Sequence, residues 1–361
     1  MNPKEDNSKK FRHPDALTQR DVTPQAPYMP NVDLKKRTKG STPQPPKRHL
    51  FRKFIVFMIV LGIISSSLYA VYIVSIVAKI STNSWQFGPL SADSTGRINI
   101  LVLGVGDPGH AGEQLTDTVM LLSLDPRSSQ TAQVSLPRDM RVLIPGYGMS
   151  KINAANALGG VSLAEQTVSD NLTTPIHYYL KANFSGLRNL VDAVGGVDVT
   201  VKERLRDVEY PCDYDQGKAC GLDIQPGLQH MDGTKALQYA RCRKGTCGND
   251  FGRAARQQEL IGLLKPKILN PQLLLHPFAL SKIVMAVQMG TKTDLGFIQM
   301  LQLAQLLRED SKNQTISLVL STSAGGYLYP DPQGSSDLLP IGDNFNAISQ
   351  RIATIFHAVL P

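Results

Sequence analysis

The chain has 361 residues, a 42% apolar fraction and a net charge of +8, enough for one large globular domain or two ordinary ones. The charge invites a nucleic-acid reading, but residues 1–53 hold 13 of the 38 Lys and Arg and only 5 of the 30 Asp and Glu, leaving 25 of each beyond. The folded part is balanced, so no nucleic-acid partner is expected.

Residues 1–53, rich in Pro, Lys, Gln and Thr and without apolar periodicity, read as a disordered basic cytoplasmic tail suited to anionic lipid headgroups. Phe54–Ala78 carries no charge over 25 residues. As a helix it is roughly 37 Å long, which spans a bilayer with some tilt. Its length and the long tail before it argue against a signal peptide. Lys47, Arg48, Arg52 and Lys53 precede the span and only Lys79 follows, which predicts a cytoplasmic N-terminus and an extracytoplasmic remainder. Residues 79–96 are a short linker that brings Trp85 and Phe87 near the membrane surface.

The domain expected at 97–320 opens with three short apolar runs, Ile98–Leu103, Val119–Leu124 and Gln133–Leu136, which read as buried strands. Ser162–Glu165 is a capping box for a helix reaching Leu172. His177–Leu180 reads as a strand, Phe184–Val194 as a helix stopped by Gly195–Gly196, and Val197–Val201 as a strand. Asp232 caps a helix to Tyr239. Leu260–Leu275 and Asp294–Leu307 follow as helices, then a strand at Thr315–Leu320. Ser321–Asp343, rich in Gly, Ser and Pro, is expected as a mobile loop near the site, ahead of a closing helix at Ala347–Leu360. The class is α/β: a mixed central sheet covered by helices, preceded by one transmembrane helix.

Several residues along this path are candidates for chemistry. Gly104–Gly109 matches G-x-G-x-x-G after a strand, but only nine residues separate it from Val119, too few for a crossover helix. A dinucleotide site is therefore set aside. What remains is Asp107 in a tight loop and Asp117 at the next strand, two carboxylates that suit Mg²⁺ or serve as turn and cap residues. Arg138, in Leu136–Asp139, reaches the same sheet edge, with Asp139 placed to orient it. Tyr239–Gln258 holds Arg241, Arg243, Lys244, Arg253 and Arg256 with Asp250 as its acid before Glu259. Asp250 reads as the N-cap of a helix on which Arg253, Arg256 and Gln257 share a face. Such an array suits a pyrophosphate, and a solvated basic face is the other reading of the same residues.

Together these pieces resemble the LytR–CpsA–Psr family of bacterial envelope proteins. The likeness rests on Gly104–Asp107, Thr116–Thr118, Leu136–Asp139, Lys151–Ala154 and Gly195–Val197, then Asp232–Arg243 and Asp250–Gln258. It covers about residues 97–265, and the order of the motifs is kept.

The resemblance implies a phosphotransferase that moves a glycopolymer from a polyprenyl-pyrophosphate carrier to a peptidoglycan hydroxyl. By position, Asp107 and Asp117 would hold Mg²⁺ or Mn²⁺. Arg138, Arg241, Arg243, Arg253 and Gln257 would clamp the pyrophosphate, with Asp250 as proton acceptor or only a helix cap. The leucines of 260–275 would line a cleft for the lipid or simply fill the core. Many relatives carry a basic residue two positions after the first aspartate, where this chain runs Asp107-Pro108-Gly109-His110. Four cysteines, all beyond the span, are expected as local disulfides Cys212–Cys220 and Cys242–Cys247. Two rival functions use the same residues: a hydrolase of the lipid pyrophosphate, and a non-catalytic surface protein that binds lipid-linked polymer.

Overall fold

The computed structural model describes residues 48–82, 88–109, 112–212, 218–270, 277–288, 290–309 and 315–356. Expectations for the tail before Arg48, for Trp85, Phe87 and His110, and for helix at 271–275 or beyond Phe356 lie outside these residues. The chain divides into compact units at Ile59/Val60, and every element after the first helix belongs to the second. That first helix, α1, is Arg48–Ile80. Its stretch Phe51–Tyr72 is long and apolar enough to cross a membrane, and its side chains are exposed.

Strands β1 (Ile98–Val105), β2 (Thr116–Asp125) and β3 (Gln130–Leu136) form the antiparallel centre of the main sheet. A hairpin of β4 (Arg141–Ile144) and β5 (Gly148–Lys151) leads into α2 (Ala154–Leu172). Then β6 (Tyr178–Asn183) runs parallel to β1 and continues directly into α3 (Phe184–Ala193). A smaller lobe follows: β7 (Val197–Val201), β8 (Leu205–Asp207), β9 (Leu222–Ile224), β10 (Gly227–Met231), α4 (Gly233–Arg241) and α5 (Asp250–Ile268). The chain returns through α6 (Pro277–Gln288), β11 (Thr291–Thr293), α7 (Phe297–Glu309) and β12 (Ile316–Val319). It ends with a hairpin of β13 (Leu328–Pro330) and β14 (Leu338–Pro340), then α8 (Asn346–Ala353).

The sheet order is β11-β6-β1-β2-β3-β12, mixed as the sequence implied, with β12 parallel to β3. Alternation sorts its side chains. Leu101, Leu103, Val119, Leu121 and Val134 face one core with α2 and α8, while Ile98, Ile100 and Leu124 face another beneath α7. Leu121 is fully buried, and Leu121→Ala would cost about 2–5 kcal/mol. The antiparallel β1–β2 pairing removes the dinucleotide reading, which requires a parallel crossover.

Two expectations are corrected, and one pair of alternatives is decided. Helix α2 starts at Ala154, eight residues before the capping box, and is broken where Gly159 and Gly160 leave helical geometry. Ser162 stands just after that break. The segment 321–343 is no open loop: Leu328 is buried in the main core, and the β13–β14 hairpin lies against Met140 and Asp139. In α5, Leu260 and Leu264 are buried in the core of the smaller lobe, the packing alternative for those leucines.

Candidate active site

The strands deliver their charged residues to one edge. Gly104 of β1 faces Thr118, and a Cβ there would lie 2.8 Å from Thr118 Cβ, so only glycine permits the approach. Just past this close contact the strands part. Asp107 leaves one and Asp117 opens the other, while Arg138 follows β3.

Arg138 is the hub. Its Nη1 donates to Asp117 Oδ1 at 2.7 Å, and its Nε lies 3.5 Å from both Asp139 Oδ2 and Asp250 Oδ2. Burial opposes its charge, but Asp250, Asp117 and Asp139 outweigh that and raise its pKa above the usual arginine value. Lys151 Nζ donates to Asp139 Oδ1 at 2.7 Å and to Ser336 Oγ at 2.6 Å, tying the β13–β14 hairpin to this corner. Sequence reasoning missed Ser336 altogether. Lys151 stands in the sequence only as part of a motif, and its role comes from the β4–β5 pairing with Arg141, which sets it beside Asp139.

The helix α5 closes the cluster. Its cap is Asn249, whose side chain accepts from Phe251 N and Gly252 N, not Asp250 as the sequence suggested. Displaced into the first turn, Asp250 turns its carboxylate to the arginines instead. Arg253 Nη1 is 3.1 Å from Asp250 Oδ1, and Arg243 Nη1 is 4.0 Å from the same atom. Arg253 Nη2 also donates to the Asp117 carbonyl at 3.1 Å. Burial, the largest influence, pulls the Arg253 pKa below the ordinary arginine value despite Asp250.

Two polar atoms at the centre are buried without a hydrogen-bond partner, Arg138 Nε and Asp250 Oδ1. Both are held by ion pairs, at 3.5 Å for Arg138 Nε and 3.1 Å for Asp250 Oδ1, and a donor beside an acceptor is what an incoming phosphate and hydroxyl would use.

Asp107, in the loop after β1, and Arg241, at the end of α4, each contact the start of α3. Both Asp107 oxygens accept from Ser185, one from its N and one from its Oγ, each at 2.9 Å, so Asp107 serves the N-terminus of α3. The preceding Phe184 ring lies 4.2 Å from the Arg241 guanidinium, with Tyr210 at 5.6 Å. Gln257 Nε2 points to the Ala240 carbonyl at 3.4 Å, behind the cluster. Of the residues named from sequence, Asp117, Arg138, Arg243, Asp250 and Arg253 therefore form one contact network. Asp107 and Arg241 are engaged at the N-terminus of α3 instead, and Gln257 is turned to α4.

The LytR_cpsA_psr family profile matches residues 72–334, and the chain belongs to that family. It is 36% identical over 209 residues to a polyisoprenyl-teichoic acid–peptidoglycan teichoic acid transferase, TagU, of Enterococcus faecalis, covering 57% of this chain. The alignment spans 64% of that relative's length. Among solved structures, Bacillus subtilis TagV superposes with a TM-score of 0.59 at 25% identity, over 74% of this chain and all of that one. TagT bound to LI-WTA gives 0.57 at 25% identity, over 76% and 96%.

Proposed function

We propose that this chain is a membrane-anchored phosphotransferase that moves a glycopolymer from a polyprenyl-pyrophosphate carrier onto a peptidoglycan hydroxyl, releasing polyprenyl phosphate. One observation carries the reading. Asp117, Arg138, Arg243, Asp250 and Arg253 converge at one sheet edge, where a buried donor, Arg138 Nε, and a buried acceptor, Asp250 Oδ1, are ion-paired but make no hydrogen bond. The names of the relatives, a teichoic acid transferase and a TagT holding LI-WTA, support the same chemistry.

In this reading Arg138, Arg243 and Arg253 neutralise the pyrophosphate, with Arg241 and Gln257 supporting from α4 and α5. The acceptor hydroxyl oxygen attacks the phosphorus nearest the sugar. The bond from that phosphorus to the bridging oxygen breaks, and polyprenyl phosphate leaves with the electron pair. Asp250 takes the hydroxyl proton. Guanidiniums already fixed by carboxylates need little reorganisation as charge develops, which is where such sites gain most of their rate.

Asp107 and Asp117 would hold Mg²⁺ or Mn²⁺. Their carboxylate oxygens are the hard donors such ions take, and Arg138 binds Asp117 through Oδ1, which leaves Oδ2 for a metal. Among the described residues no group of three or more His, Cys, Asp or Glu is placed to hold a metal ion by itself, so an ion here would complete its shell with water or phosphate oxygens. Bound there, it would offset charge on the phosphates. The flanking lysines and arginines favour a cytoplasmic N-terminus for α1, with the site outside the membrane.

The test uses the full chain in proteoliposomes with a polyprenyl-pyrophosphate-linked glycan, peptidoglycan fragments and Mg²⁺. Equal amounts of lipid phosphate and acceptor-linked product are expected, stopped by chelation and restored by Mg²⁺. Lipid phosphate without acceptor product would establish the hydrolase instead. Tight lipid binding with no turnover would leave only the binding protein.

A further inference from the structure

One arginine of the array is absent from the cluster. On a helical wheel Arg256 shares a face with Arg253 and Gln257, yet its guanidinium turns into the protein and is 9% exposed. Its Nε donates to the Tyr239 carbonyl and its Nη1 to the Cys247 carbonyl, each at 3.0 Å, and its Nη2 donates to the Cys242 carbonyl. Tyr239 lies in the last turn of α4 and Cys242 is its C-cap, so two of these acceptors belong to the helix end whose carbonyls lack partners within the helix. The third, Cys247, ends the loop that joins α4 to α5.

That loop is closed covalently by the Cys242–Cys247 disulfide. Its far side is docked on β8. Thr246 Oγ1 donates to the Arg204 carbonyl and accepts from Arg206 N, each at 2.7 Å, and Lys244 N donates to Asp207 Oδ2 at 3.1 Å. Gly245 has φ of +61°, and a Cβ there would come 2.2 Å from the Arg206 carbonyl, so a side chain would push the loop off. Lys244 pairs with Glu209. With Lys244, Thr246 and both cysteines turned to these anchors, Arg243 is the loop side chain directed at the cluster, 4.0 Å from Asp250.

We propose that Arg256 is a positioning residue: a guanidinium staple that holds both ends of the disulfide loop and so fixes Arg243 against Asp250 and Arg253. Burial lowers the Arg256 pKa, with the Tyr239 ring, Arg253 and Glu259 as the titratable neighbours that modify it. A cation held in the interior by carbonyl dipoles is costly unless the carbonyls are well placed, and a planar fork reaches three of them where an ammonium does not. The consequence for catalysis rests on the transferase reading above. The staple itself does not.

Two measurements on the full chain in bilayers separate these. The first is hydrogen exchange in wild type, Arg256→Lys and Arg256→Gly. The amides of 243–249 are expected to exchange at least about tenfold faster in both variants, with β1–β3 unchanged, and added guanidinium should restore protection in Arg256→Gly. Unchanged exchange in the loop overturns the proposal. The second is a double-mutant cycle on turnover. Arg256→Lys should lower kcat up to about 100-fold, the cost of misplacing a group by about 1 Å, with little change in KM. In an Arg243→Ala background the same substitution should cost almost nothing. An equal cost in both backgrounds overturns the proposal, since Arg256 would then act independently of Arg243. A loop loosened in the variants, alongside a wild-type chain that shows no transfer, would sink the transferase reading and keep the staple.

Discussion

At the end of the sheet where β1 begins and β2 finishes, a cavity of about 460 Å³ is lined by Asp93, Arg97, Asp125 and Arg127. These are the residue types of the arginine cluster at the opposite end, and the space is larger than the roughly 340 Å³ cleft beside Gly106 and Pro108. What differs is satisfaction. Asp93 Oδ1 accepts from Thr95 N, Thr95 Oγ1 and Arg97 N, and Asp125 accepts from Arg127 N and Ser128 Oγ. Arg97 donates to the Ile352 and Ala353 carbonyls and lies over the Phe356 ring, which locks α8 to the sheet. Among the described residues, none of these four side chains has a buried atom without a hydrogen bond, whereas Arg138 and Asp250 each do. Charge and volume alone would favour the end at Asp93. Unspent hydrogen-bonding capacity is what sets the arginine cluster apart from it.

The comparison is sharpest in a pair of matched substitutions. Arg138→Gln should lower kcat by on the order of 10²–10³, the usual cost of one preorganised donor at a developing charge, while thermal unfolding moves little. Arg97→Gln should do the reverse, losing about 1–2 kcal/mol in chemical denaturation with turnover intact, because only the α8 carbonyls lose their donor. If Arg97→Gln abolishes transfer, the division between a working end and a structural end is wrong.

The disulfides allow a second, smaller contrast. Cys247→Ser opens the loop that carries Arg243 and should cost kcat up to about 100-fold through misplacement. Cys220→Ser opens the Cys212–Cys220 bridge, where Cys220 N donates to the carbonyl of Tyr210, whose ring lies 5.6 Å from the Arg241 guanidinium. Its effect on kcat should stay within about fivefold, the worth of a weak cation–π contact at 5.6 Å. Either bridge should contribute about 2 kcal/mol to stability, so denaturation will not tell them apart and kinetics will.

How far the sequence reached follows from the range of the interactions involved. Apolar runs bounded by Gly, Asp or Pro marked β1, β2, β3 and β12 because burial imprints itself residue by residue. The family likeness brought Asp107, Asp117, Arg138 and the arginines into one list. The loop of 321–343 misled because its composition is that of a turn, while Tyr327, Leu328 and Leu338, its core contacts, are only three residues in the stretch. Asp250 and Asn249 are adjacent residues of similar capping strength, and which one caps is decided by where the arginines lie. Arg256 was illegible for a related reason. Helical spacing assigns a face, but the carbonyls of α4 and the disulfide loop cover part of that face and capture the side chain.

The smallest expected effect concerns a carboxyl that neither end of the sheet uses. Glu165 of α2 is pushed up to about 7, by burial first and then by Asp294. Asp294, whose Oδ1 accepts from Tyr179 N, is itself raised by burial. Both groups bind protons more tightly in the folded chain than in the unfolded one. Between about pH 4.5 and 7 the native state then holds protons that the unfolded state has lost, so stability falls as pH rises through that window and levels off above it. Glu165→Gln keeps the shape and removes the titration, so its unfolding midpoint should be flatter across the window and higher than wild type at pH 8. A wild-type midpoint that instead climbs from pH 5 to 7, with the same slope in Glu165→Gln, would show that Glu165 is solvated and that carboxylates elsewhere govern the profile. Turnover should keep its pH dependence in the variant, because Glu165 lies on α2 and makes no contact with the arginine cluster.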